Sequence, residues 1–255
     1  MIFLGTTGRS YNPATIDIIN AMSVRPTEDR SRLIDDLVVD LKGYGVWDKM
    51  DRFYMLAAHD EQAGRLDWLN PGTDTLTAVN SPNFSVDEGF QGNGSSSYLV
   101  GGVNLSAMTH YGQNDAHLGY WSLTNSSANT SIDVGVTGNF NVAFLGRDAG
   151  GQAVGRLNQT NNTGVQWAVS DSLGYYAGVR RTSVATENYK NGVSAVTGST
   201  SSVSVPAYPV TVGMGGGAYY NRRIACVHFG SELTDTEVAN IYSAIGDYLT
   251  AVGAV

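Results

Sequence analysis

Ala185-Thr186-Glu187-Asn188-Tyr189-Lys190-Asn191-Gly192-Val193-Ser194-Ala195-Val196-Thr197 is the stretch on which the fold turns. A two-residue type I′ turn needs positive φ at both central positions, which Asn-Gly supplies, so Asn191-Gly192 between the two flanks predicts a β-hairpin. Around it, from Thr75 onward, the period stays near two. Ser131-Ile132-Asp133-Val134-Gly135-Val136, Val165-Gln166-Trp167-Ala168-Val169 and Val203-Ser204-Val205 are short runs of this kind. Gly, Asn, Ser and Asp separate such runs about every 8 to 15 residues, the punctuation of strands. Ten or more short antiparallel strands without helices between them predict a mainly β protein with two facing sheets, a sandwich or jelly roll, and exclude a βαβ fold.

The two ends read as helix. Thr234-Asp235-Thr236-Glu237 fits a capping box, with Leu233 and Val238 placed as a hydrophobic staple. Val238, Ile241, Tyr242, Ile245, Tyr248 and Leu249 then form one stripe, predicting a C-terminal helix over about 234–251. At the other end, the first 72 residues carry eight basic and eleven acidic side chains, against seven and twelve in all that follows. Pro26 or Thr27 opens a helix there, with Glu28 and Asp29 in its positive first turn, a stripe of Leu33, Ile34, Leu37, Val38 and Leu41, and a stop at Gly43. A second helix is expected from about Trp47 to Ala58, a third from Asp60 to Leu69 ahead of Pro71, and a short one over Thr15 to Met22. The chain thus divides into a helical docking or assembly segment, 1–72, and a sandwich with its closing helix, 73–255.

Composition narrows the function. A chain of 255 residues can bury a sizeable core unaided. Charged residues are 15% against roughly 25% in typical soluble domains, and 31 glycines point to many turns. Apolar runs such as Leu37 to Leu41 break after about five residues, short of the roughly 20 a membrane helix needs, so no membrane insertion is expected. A net charge of −8, with Arg180-Arg181 and Arg222-Arg223 as the basic doublets, argues against nucleic acid as a partner. The single cysteine, Cys226, excludes an intrachain disulfide framework and multi-Cys zinc sites. Met1-Ile2-Phe3-Leu4-Gly5 has neither a basic nor an apolar region of the signal-peptide kind, so none is expected.

Chemistry is sparsely marked. A sandwich glycosidase needs two carboxylates facing one cleft, as alternate residues of a strand would give, and no strand carries Glu-x-Asp. Glu232, Asp235 and Glu237 fall on a helix cap, where they serve the dipole. His59, His110, His117 and His228 lack His-x-His spacing, so no metal site is expected. Gly94-Ser95 lacks the nucleophile-elbow pattern, and Gly213-Met214-Gly215-Gly216-Gly217 lacks the Lys and the helix of a phosphate loop. Cys226 sits in an apolar strand and reads as an inert thiol. No catalytic residue and no cofactor is assigned. Asn114 and Asp115 are turn formers or oxygen ligands for Ca²⁺. Aromatics are more suggestive, because sugar rings stack on flat side chains and Tyr and Trp add a polar handle. Tyr120-Trp121, Tyr175-Tyr176 and Tyr219-Tyr220 are adjacent pairs in predicted strands. Neighbours in a strand point to opposite faces, so at most one of each pair is expected in the core and the other is free to stack on a glycan. Core packing and subunit contact are the competing roles.

Three segments resemble the concanavalin A-like, laminin-G-type jelly roll: Glu88-Gly89-Phe90-Gln91-Gly92-Asn93-Gly94 through Leu99, the Glu187 to Val193 hairpin, and the strand Arg223-Ile224-Ala225-Cys226-Val227-His228-Phe229-Gly230 followed by the helix to Tyr242. With Leu33-Ile34-Asp35-Asp36-Leu37-Val38, Gly45-Val46-Trp47, Trp68-Leu69-Asn70-Pro71 and Leu76 through Pro82, the whole chain is similar to structural proteins of tailed bacteriophages and prophages that set a small helical segment before such a jelly roll. The resemblance implies a virion component, a head decoration protein or a part of a tail or fibre, made in the host cytoplasm and partnered by sister subunits, other virion proteins and host surface glycans. A homo-oligomer, with a trimer favoured, is the expectation, and the family's hydrolase carboxylate motif is absent. The expected function is therefore structural and non-enzymatic, with two rivals: a glycosidase or lyase acting on host surface polysaccharide, and a soluble lectin.

Overall fold

The computed structural model describes residues 10–127, 132–160 and 164–255; Met1 to Gly5 and Ser131, both read in the sequence, lie outside them. Helices α1 (Pro13–Ala21) and α2 (Glu28–Gly43) come first, and α3 (Asp235–Ala251) closes the chain. Between them run β1 (Met50–Met55), β2 (Thr77–Val79), β3 (Asn83–Ser85), β4 (Gly89–Gln91), β5 (Tyr98–Asn104), β6 (Ala116–Ser122), β7 (Val134–Val136), β8 (Ala143–Leu145), β9 (Gln152–Arg156), β10 (Val165–Ala168), β11 (Gly174–Arg180), β12 (Thr186–Lys190), β13 (Val193–Gly198), β14 (Pro209–Val212), β15 (Met214–Gly215), β16 (Ala218–Tyr219) and β17 (Arg223–Gly230).

All but β15 and β16, which pair with each other, form the expected two-sheet antiparallel sandwich. One sheet has the order β13-β12-β11-β6-β17-β4-β3, with β1 also paired to β17; the other runs β10-β9-β8-β7-β14-β5-β2. The hairpin at Asn191-Gly192 forms as predicted, with φ of 51° and 76°, the left-handed pair a type I′ turn requires. Thr234 and Glu237 close the capping box of α3, and Thr27 caps α2 through the Arg30 N–H.

The molecule has three layers. Leu118, Tyr120, Phe144, Tyr176, Val210 and Val227 fill the space between the sheets. On the opposite face of the first sheet, Trp121, Tyr175, Val179 and Cys226 pack against Leu37 and Leu41 of α2 and Ile241, Ile245 and Tyr248 of α3. Alternation along each strand produces both cores, since Tyr120 and Tyr176 face the second sheet while their neighbours Trp121 and Tyr175 face the helices. The segment 1–72 is therefore built into the sandwich through its described part: its helices cover one sheet and its strand β1 extends it.

Two helices expected in that segment are absent. Trp47 to Ala58 begins as a single 3₁₀ turn, Trp47–Lys49, and continues as β1. Tyr54 and Leu56 enter the inter-sheet core and Phe53 and Met55 the helix-side core, so the strand is apolar on both faces and its sequence mimics a helical run. Over Asp60 to Leu69 only Ala63–Arg65 is helical, again 3₁₀. Asp67 explains the stop: its Oδ1 accepts the backbone N–H groups of Phe53 and Leu69, which ties this stretch to β1.

Candidate functional site

Strand ends at one pole of the sandwich build the site. There β6 ends at Ser122, β11 begins at Gly174, β12 turns at Asn191-Gly192, and the loop from Val169 to Leu173 links β10 to β11. Ser172 is the rivet of this pole. Its Oγ donates to a carbonyl, with those of Thr124 and Ser126 both in range, while the Ser126 N–H donates to that Oγ and the Ser172 N–H to Asn125 Oδ1. Fixed loops at the end of a sandwich are where such scaffolds carry binding sites.

Two clefts open at this pole, one on each side of the first sheet. The first, about 450 Å³, lies where β10 of one sheet meets β13 of the other, at the mouth of the inter-sheet core. Trp167, Ser170, Asp171 and Lys190 line it. The Trp167 side chain is 9% exposed and its indole Nε1 has no hydrogen-bond partner. The Lys190 ammonium sits 4.0 Å above the Tyr176 ring and donates to Tyr176 OH at 2.7 Å, to Asp171 Oδ1 at 3.3 Å and to the Leu173 carbonyl. Burial holds Lys190 below the ordinary lysine range, opposed by Asp171. Burial works to raise Asp171, but Lys190, the Ser170 hydroxyl and the Leu173 N–H together hold it below the ordinary carboxylate range. The cleft thus offers a flat aromatic edge beside a neutralised ion pair, which suits a polyhydroxylated ring better than an ion.

The second cleft lies between the first sheet and α3. Trp121, Ser122, Leu173, Gly174, Asn191 and Tyr242 line it, with a volume of about 360 Å³. Trp121 and Tyr242 stack at 5.4 Å with planes 7° apart.

The six aromatic residues singled out in the sequence are mostly not a surface platform. Tyr120, Trp121, Tyr175, Tyr176 and Tyr220 are buried, and only Tyr219 is partly exposed, packed beside Tyr98 at 5.9 Å. Tyr120 stacks on Tyr176 at 5.3 Å in the inter-sheet core; Tyr220 lies against the Arg222 guanidinium. For Tyr120-Trp121 and Tyr175-Tyr176 the expectation that one of each pair is free fails, because the helices cover the sheet face a two-layer sandwich would leave to solvent. Trp121 alone of the six lines a cleft at this pole, and Tyr176 contributes by holding Lys190. Trp167, Asp171 and Lys190 were not singled out; a Trp on an edge strand followed by Ser170-Asp171-Ser172 was the available signal.

A third depression, about 440 Å³ and lined by Trp47, Asp48, Asp51, Arg52, Asn70 and His110, is internally neutralised. Asp51 accepts the backbone N–H groups of Thr109, His110 and Tyr111 at 2.7 to 3.1 Å, and Arg52 pairs with Asp74 at 2.6 Å. Burial lifts Asp67 beside it to about 6, against its hydrogen bonds from Phe53, Asn70 and Leu69 and the Arg52 charge. That carboxyl is fully buried and cannot reach a substrate. No group of three or more His, Cys, Asp or Glu side chains placed to hold a metal occurs among the described residues.

Fold and site together define an antiparallel β-sandwich with a helical third layer and clefts at one pole. No family model and no curated protein matches the sequence. Among solved structures, the receptor binding domain of botulinum neurotoxin C/D mosaic serotype is similar at 12% identity and a TM-score of 0.56, over 77% of this chain and 51% of that one. The botulinum neurotoxin serotype D ligand binding domain in complex with N-acetylneuraminic acid is similar at 12% identity and a TM-score of 0.51, over 77% and 51%. A Trypanosoma rangeli sialidase, bound to a difluorinated nononic acid, is similar at 12% identity and a TM-score of 0.53, over 86% and 40%. The chain spans about half the length of the neurotoxin domains and less of the sialidase. At these identities the likeness is one of fold.

Proposed function

We propose that this protein is a non-enzymatic, glycan-binding β-sandwich that serves as a structural component of a tailed-phage particle. The observation that carries the glycan reading is the Trp167 cleft, where an aromatic wall stands beside the Asp171-Lys190 pair on a pole of riveted loops. The neurotoxin domain of like fold that holds N-acetylneuraminic acid supports it by analogy of architecture. The particle reading rests on the sequence resemblance to phage structural proteins, and closed homo-oligomers, here a trimer, are the common form of such assemblies.

Glycan-array binding by the full chain tests the first part. Trp167→Ala is expected to weaken binding about tenfold, the range of one aromatic contact, with circular dichroism unchanged. Binding that survives the substitution would sink the cleft. Release of new reducing or unsaturated ends from capsular polysaccharide or lipopolysaccharide would make the protein an enzyme instead. Cryo-electron microscopy of purified particles tests the location, and absence of the chain from them overturns it.

A further inference from the structure

The third depression lies at the far pole of the sandwich. Met50, which opens β1, pairs with Gly230 at the end of β17, and Gly230 with His117 near the start of β6. The Trp167 pole lies where β6 ends at Ser122, about 17 Å further along that strand. Asp48, Asn70, Thr109 and His110 line the depression and are exposed. Among the described residues none hydrogen-bonds to or pairs with the Asp48 carboxylate, the Thr109 hydroxyl or the His110 ring. Asn70 donates one amide hydrogen to Asp67 Oδ2 at 3.1 Å, which fixes the group and leaves its Oδ1 and second hydrogen available. Trp47 adds an aromatic edge, and Lys42, 5.3 Å above that ring, is engaged by Asn12 Oδ1 at 3.0 Å.

Buried carboxylates hold these groups in place. Asp51 accepts the backbone N–H groups of Thr109, His110 and Tyr111, so the loop that carries the hydroxyl and the imidazole is set before a ligand arrives. Asp67 does the same for Asn70. Polar groups preorganised on a rigid frame spare a ligand the cost of ordering them. The volume of about 440 Å³ falls within the range of small-molecule sites. Charge then selects the class. Arg52, the basic group in the wall, is committed to Asp74 at 2.6 Å and to the Asp51 carbonyl at 2.7 Å, while Asp48 and Asp51 repel an anion. Asn70, Thr109 and His110 both donate and accept, as sugar hydroxyls do, and the two Asp48 oxygens can accept two adjacent hydroxyls at once. An aromatic edge covers the apolar face of such a ring. We propose that the Trp47-Asp48-Asn70-His110 cleft is a second carbohydrate site, which takes a neutral sugar unit through a pair of adjacent hydroxyls. It goes beyond the Trp167 reading and does not rest on it, since the poles are too far apart for one ring to touch both.

The test uses the ¹⁵N-labelled full chain, with its four tryptophan indole signals assigned by single Trp→Phe variants and the amides of Asp48, Thr109 and His110 assigned alongside. The indole signals report each pole separately. The probes are the methyl glycosides of glucose, galactose, mannose and N-acetylglucosamine, with N-acetylneuraminic acid as the anionic counterpart. At least one neutral glycoside is expected to shift the Trp47 indole together with the Thr109 and His110 amides, and N-acetylneuraminic acid to leave them in place. Asp48→Asn is expected to weaken that glycoside about tenfold, the worth of one charge-assisted hydrogen bond, and Thr109→Ala about fivefold, that of a neutral one. Both side chains are exposed, so neither variant disturbs the fold. Silence of the Trp47 pole toward every neutral probe would overturn the site, and a response at Trp167 alone would leave the first cleft standing without it. Equal shifts from N-acetylneuraminic acid would overturn the neutral selectivity, and undiminished affinity in Asp48→Asn would overturn the assignment of the cleft.

Discussion

Arg222 and Asp133 form a fully buried ion pair, with both carboxylate oxygens within 2.9 Å of one guanidinium nitrogen. Tyr120 OH and the Gly146 N–H donate to the same carboxylate, and the other terminal guanidinium nitrogen donates to the Ser126 and Arg147 carbonyls at 2.6 Å. Removing one partner strands a buried charge, so Asp133→Asn is expected to cost about 3–5 kcal/mol in urea denaturation. A loss below 1 kcal/mol would mean the pair is relaxed by water. Two buried histidines set a pH limit. The Ser231 carbonyl can only accept, so His117 Nδ1 carries the proton; its Nε2 then accepts from His228 Nδ1 at 3.0 Å, and His228 Nε2 accepts from Tyr175 OH at 2.9 Å. This directed chain requires both rings neutral. Burial pushes His117 down to about 4 and His228 well below 6.5. Because the unfolded chain binds these protons first, their contribution to stability is full above about pH 6.5 and is lost as the pH falls towards 4. Denaturation midpoints that stay flat over that window would contradict the chain.

Elements carry their own tests. Thr234 caps α3 in a reciprocal box with Glu237, and Thr234→Ala is expected to lower stability by about 1 kcal/mol in thermal unfolding. Gly192 lies in the left-handed region at φ 76°, and an added Cβ there would meet Tyr242 at 2.9 Å. Gly192→Ala should therefore destabilise by more than the roughly 1 kcal/mol of backbone strain alone, because α3 must move too. An unchanged melting temperature would show that the turn is not pressed against the helix. The same contact joins the hairpin to the second cleft, where Tyr242 stacks on Trp121.

At the scale of the molecule, three layers make the helices part of the core. Deleting residues 13–43 would strip α1 and α2 from the face of the first sheet that carries Tyr175, Ala177, Val179 and Cys226 and leave α3 alone over it. Such a truncation is expected to aggregate or elute as soluble oligomers in size exclusion; a monomeric, cooperatively folding product would show that the sandwich stands alone. No described helix is long and apolar enough to cross a membrane.

Local rules were enough for much of this. The positive φ that Asn191-Gly192 permits, the period of two after Thr75, the capping box at Thr234 and the stripe from Leu33 to Leu41 each depend on neighbours in the chain, and each formed where the sequence placed it. What depends on partners far away did not. Met50–Met55 became a strand because both its faces met apolar layers, and Tyr175 and Trp121 left the surface because α2 and α3 lie over them. Trp167, Asp171 and Lys190 converge only when β10, its following loop and β12 meet at one pole. Chain-local sterics and hydrogen bonding set the first group, while burial, which is a property of the packed layers, decided the second.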